Sequence, residues 1–86
     1  DDFNLDAIPE GTMLFVSNRD VPGIVGMIGS ALGEQGVNIA NLTLGRDRKD
    51  GRALAVFNLD DAPDEAFLER LRATPDVTGV TLIDAD

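Results

Sequence analysis

Residues 24–35 constrain this chain more than any other segment. Ile24, Val25, Met27, Ile28, Ala31, Leu32 and Gln35 recur at i, i+3 and i+4, the spacing that lines one stripe of a helix. Asp20 stands where a cap would sit and Pro22 suits a first helical position, so the helix is expected to start near residue 22. Gly36 suits the left-handed residue that ends it. The flanking runs, 12–17 before it and 37–45 after it, are too short and too rich in β-forming residues to be helical. A helix set between two strands must carry the chain from one to the next, which commits the first half to a strand–helix–strand crossover. Gly26, Gly29 and Gly33 lie off the apolar stripe, each costing about 0.5–1 kcal/mol relative to Ala, and close approach by the sheet or a partner is the expected reason.

The second half repeats the unit. In 37–45, Val37, Ile39, Asn41 and Thr43 alternate with Asn38, Ala40, Leu42 and Leu44, the pattern of a strand with two different faces. Residues 46–51 end in Asp50-Gly51, a hairpin signal, so strands two and three (52–59) are expected to pair antiparallel. Asp60, Asp61, Pro63, Asp64 and Glu65 crowd the start of a second helix, where the macrodipole favours acids, and Phe67, Leu68 and Leu71 give it an apolar side as far as about Ala73. Thr74-Pro75-Asp76 stops it, and 77–83 reads as a fourth strand. The expected fold is α+β, a ferredoxin-like βαββαβ sandwich: a four-stranded antiparallel sheet, strand one central, with both helices on one face.

Composition removes most chemistries. Eighty-six residues fit one small domain, which buries little surface for its size and is expected to associate or to be part of something larger. There is no Cys and no His, so thiol nucleophiles, imidazole bases and the usual zinc ligands are excluded. A net charge of −9 argues against nucleic acid and anionic membranes. No apolar run approaches the roughly 18 residues of a membrane span, and a cytoplasmic protein is expected. The chain begins at Asp1 without Met, as an excised domain would, and 1–10, with Phe3, Leu5, Ala7 and Ile8 among acids, read as an extended arm. The acids at 60–65 read as a solvated helix start rather than a cation site, and 47–51 as a hairpin rather than a calcium loop. No metal site is expected.

The stretch that leads from strand one onto the first helix points to a ligand. The free N–H groups from Gly23 onward favour a carboxylate, and Asp20 nearby can meet an ammonium, which together describe an amino-acid zwitterion. Asn18 and Asn38 add amide donors and acceptors. By spacing alone, Asp20 and Pro22 serve equally as a simple helix cap and Asn38 as a strand start. The run Asp20-Val21-Pro22-Gly23-Ile24-Val25-Gly26, followed after the helix by Glu34-Gln35-Gly36-Val37-Asn38-Ile39-Ala40, resembles the ACT domain, a small amino-acid-sensing regulatory module of metabolic enzymes. Asn18-Arg19-Asp20, Leu44-Gly45-Arg46 and the run 53–60 are similar to the branch of that family found at the C-terminus of D-3-phosphoglycerate dehydrogenases.

The resemblance implies a domain over 11–86, with 1–10 the linker or the end of a preceding domain. It implies an effector site of Asn18, Asp20, Pro22, Gly23 and Ile24, completed by Asn38 of a neighbouring copy. The ligand implied is L-serine or another small amino acid: Asp20 on the amine, Asn38 and the helix start on the carboxylate, Asn18 on the hydroxyl. Some relatives carry His at the position of Asn18 and Asn at that of Asp20, departures that bear on pH response and affinity. The chain itself would hold no catalytic residue and no cofactor. NAD would belong to the parent enzyme, and two domains would pair edge to edge into one sheet. Two other readings stand beside this one: an assembly module that senses nothing, and the regulatory domain of another amino-acid enzyme such as an iron–sulfur L-serine dehydratase.

Overall fold

A computed structural model describes residues 11–19, 23–47 and 51–84; the expected arm at 1–10, residues 20–22, residues 48–50 of the expected hairpin turn and residues 85–86 lie outside the described residues. The elements follow in the expected order: β1 (Thr12–Arg19), α1 (Ile24–Glu34), β2 (Ile39–Asp47), β3 (Arg52–Leu59), α2 (Glu65–Arg72) and β4 (Val77–Asp84). The sheet order is β2-β3-β1-β4 with every neighbouring pair antiparallel, so β1 and β3 are central. Leu14 and Val16 of β1 and Ala55, Phe57 and Leu59 of β3 share one buried cluster with Ile24, Ile28 and Leu32 of α1 and Phe67, Leu68 and Leu71 of α2. Both helices therefore cover the same face, which is the ferredoxin-like βαββαβ fold. Met13 and Val56 are buried on the opposite face, so the central strands are apolar on both sides.

Each helix ends for a reason legible in its residues. Gly36, at φ 76°, turns the chain after α1: Gly36 N–H donates to Gly33 O at 3.0 Å and Val37 N–H to Leu32 O at 3.0 Å, the paired closure of a Schellman motif. Because Val37 spends its N–H on the helix, β2 begins at Ile39 and not at 37 as the alternation predicts. At the other end α1 starts at Ile24 with Gly23 as its cap, later than a first position at Pro22 requires; Gly23 takes a φ of 86°, open only to glycine at little strain. Around α2, Asp64 Oδ1 accepts from Phe67 N–H at 2.8 Å, Glu65 lies in the first turn and Arg70 and Arg72 in the last, each complementing the macrodipole.

One expectation about β2 is corrected. A register shift between Ile39 and Asn41 inserts Ala40 as a bulge, so Leu42 and Leu44 stand opposite Phe57 and Ala55 on the core face, and Asn41 and Thr43 turn to the other side. The strict two-residue period had grouped Asn41 and Thr43 with Ile39. Lying on the edge strand, Leu42 and Leu44 remain 40% and 46% exposed. The glycines of α1 also depart from expectation. A Cβ on Gly26 or Gly33 would meet nothing within 4 Å, and one on Gly29 only Ile39 Cδ1 at 3.8 Å, so packing inside one copy does not require them.

Candidate functional site

Asn18, one residue before the end of β1, stands opposite Ala53 of β3 and, past a bulge, opposite Val77 of β4. It is fully buried. Its Nδ2 donates to Arg19 O at 2.7 Å, while among the described residues Oδ1 has no partner. A buried acceptor left unsatisfied costs about 1–3 kcal/mol, which a donor brought by a ligand would recover. The backbone here is fixed from the far side as well: Arg19 N–H donates to Asp76 O at 2.8 Å, and Asp76 holds a φ of 74°, unusual for a residue with a side chain. The Arg19–Asp76 ion pair, at 4.0 Å and with both side chains exposed, adds little to this.

Residues 20–22 join this strand end to the start of α1, so Gly23 and Ile24 belong to the same end of the sheet as Asn18; Asp20 and Pro22 themselves lie outside the described residues. The first intrahelical bond runs from Met27 N–H to Gly23 O at 2.9 Å, leaving the N–H groups of Ile24, Val25 and Gly26 without an acceptor in the helix. The glycine cap contributes no side chain, and the first turn holds no acid. The described arginines also gather toward this end, although Arg19 faces Asp76 and Arg72 is paired with Glu65 and Glu69. Arg19 pairs with Arg52 across β1 and β3, Arg46 stands opposite Ala53, and Arg70 and Arg72 occupy the last turn of α2, which leads to Val77. A carboxylate fits such a place.

Asn38 lies elsewhere. It precedes β2, which begins opposite Leu59, whereas Asn18 stands opposite Ala53. The stretch of β3 from Ala53 to Leu59 separates them, about 20 Å at the rise of an antiparallel strand. One copy therefore brings together Asn18, Gly23 and Ile24 but not Asn38. At its own end Asn38 is held by Asp60, a residue whose place in the chain groups it with the acids of the α2 start: Asn38 Nδ2 donates to Asp60 Oδ2 at 2.8 Å, and Asp60 N–H to Asn38 O at 3.1 Å. No local signal ties residues 22 positions apart, so only the fold reveals the pair.

A separate groove of about 240 Å³ runs between the helices, lined by Met27, Ala31, Gln35, Phe67, Arg70 and Leu71, and none of the expected site residues faces it. Gly26 and Gly29 lie inside α1 rather than in a loop between strand and helix, so these residues do not form a dinucleotide cradle. Among the described residues no helix is long and apolar enough to cross a membrane.

Comparison with known proteins gives a consistent result. The family model of the ACT domain matches residues 12–76. The D-3-phosphoglycerate dehydrogenase of Bacillus subtilis (strain 168) is 33% identical over 95% of this chain and 16% of its own length. That of Methanocaldococcus jannaschii is 31% identical over 96% and 16%, and that of Synechocystis sp. 41% identical over 83% and 13%. The chain thus spans about a sixth or less of the relatives it matches.

Proposed function

The chain belongs to the ACT domain family, and on that premise we propose that it is the L-serine-sensing regulatory domain of a cytoplasmic D-3-phosphoglycerate dehydrogenase. The observation that carries a ligand role is the buried Oδ1 of Asn18, without a partner among the described residues, at the same end of the sheet as the glycine-capped start of α1. A serine carboxylate on the N–H groups of Ile24 and its neighbours leaves the hydroxyl to donate to Asn18 Oδ1, with Asp20 on the ammonium. Asn38 joins the site from a second copy. In this reading NAD and the catalytic groups belong to other domains of the parent.

Pairing through β2 is supported by the same strand. It is an edge with an unpaired backbone ladder, and Leu42 and Leu44 leave apolar surface beside it. Antiparallel joining of two β2 edges sets the acidic end of one copy, with Asp60 and Asp61, toward the arginine-rich end of the other. Serine then acts by linkage: it favours the arrangement it binds best, and the parent's activity shifts by that difference in affinity.

Thermal unfolding with L-serine, D-serine, glycine and no ligand tests the reading. A ligand at 100 times its Kd adds about 2.7 kcal/mol, and roughly 4–8 °C per kcal/mol is expected for this size. L-serine is expected to raise the midpoint well above the other three, and Asp20→Ala to remove most of that rise. No shift with any amino acid in a confirmed dimer overturns sensing and leaves an assembly module.

A further inference from the structure

Asp60 lies four residues ahead of the cap that serves α2, so its carboxylate is not spent on that helix; its partner is Asn38. An ionised carboxylate only accepts hydrogen bonds, which fixes the amide: Nδ2 must face Asp60, and Asn38 Oδ1 faces away. The backbone bond from Asp60 N–H to Asn38 O holds the two residues in register, and both remain exposed. What they offer a ligand is therefore mainly acceptor: one amide oxygen and a carboxylate. Their surroundings have the same sign. Asp61 follows Asp60, Asp64 caps α2, Asp84 pairs with Thr12 at this end of the sheet, and the described arginines stand toward the other end. A carboxylate is disfavoured here and an ammonium favoured.

We propose that Asp60 is a positioning and specificity residue of the amino-acid site, orienting Asn38 so that Asn38 Oδ1 and the Asp60 carboxylate receive the ligand's ammonium group. This rests on the serine-sensing reading and moves Asn38 from the carboxylate, where residue type alone puts it, to the amine. The zwitterion is then divided between copies. The α1 start and Asn18 of one take the carboxylate and hydroxyl, and Asn38 with Asp60 of the other joins Asp20 on the ammonium, whose three N–H donors serve all of them.

The test is calorimetric titration of the chain with L-serine and with L-glycerate, which carries a hydroxyl in place of the ammonium. Asp60→Asn keeps an acceptor for Asn38 Nδ2 but removes the charge. Its L-serine affinity is expected to fall roughly 10- to 100-fold, while L-glycerate binds as before or more tightly. Asp60→Glu, which restores the charge, is expected to recover part of the L-serine affinity. Equal losses for both ligands reduce Asp60 to a structural role and overturn the proposal, as does unaltered L-serine binding in Asp60→Asn. If the unchanged chain binds neither ligand, the sensing reading itself fails and takes this one with it. Sedimentation of each variant, expected to match the unchanged chain, separates lost binding from lost pairing.

Discussion

The two helices occupy equivalent places in the two halves of the fold and bury similar apolar stripes, yet their N-termini are finished in opposite ways. α2 starts on Asp64, whose carboxylate holds Phe67 N–H, follows it with Glu65, and ends on Arg70 and Arg72, with Arg72 Nη1 3.2 Å from Glu65 Oε1 and 3.0 Å from Glu69 Oε1. α1 starts on a glycine, has no acid in its first turn and no base in its last, and carries three glycines. A helix that needs only to be stable looks like α2. Among the described residues no side chain caps α1, and the buried Asn18 Oδ1 at the same end of the sheet has no donor. The ends of α2 are finished by its own side chains, and on the proposed reading the start of α1 is finished by a bound carboxylate.

Substitutions can break or sharpen this contrast. The largest effect should show no contrast: Phe67→Ala and Ile28→Ala, one from each helix and both buried, are expected to cost about 3–5 and about 2–5 kcal/mol, enough to unfold much of the chain in a urea titration. Removing the cap in Asp64→Ala should cost about 1 kcal/mol and lower the thermal midpoint by several degrees, leaving the response to L-serine intact. Gly26→Ala and Gly26→Glu should both stabilise α1, by up to about 1 kcal/mol, since a Cβ there meets nothing. Only Gly26→Glu, by giving α1 the first-turn acid that α2 already has, should abolish the L-serine shift. The smallest effect is expected from Arg72→Ala, whose exposed pairs with Glu65 and Glu69 are worth less than about 1 kcal/mol in thermal unfolding.

Much of this was legible in the sequence wherever the cause was local. The period of α1, its stop at Gly36, the acids at the head of α2 and the hairpin glycine at 51, with φ 64°, each act within a few residues, and the element order follows from them. What was not legible required contacts distant in sequence. The bulge at Ala40 leaves no trace in a two-residue alternation, because an extra residue in one strand is defined only against its partner. Burial of Asn18 could not be read either, since asparagine at a strand end is ordinarily a solvent-facing turn residue. The tie between Asn38 and Asp60 depends on β2 lying against β3.

The distance between Asn18 and Asn38 carries a consequence for mixtures of chains. When each site draws Asn18 from one copy and Asn38 from the other, a chain bearing Asn18→Ala and a chain bearing Asn38→Ala are each defective alone. Mixed, they complement: one end of the pair collects both lesions, and the opposite end collects both intact residues. A population of two broken proteins thereby regains working sites that neither parent contains.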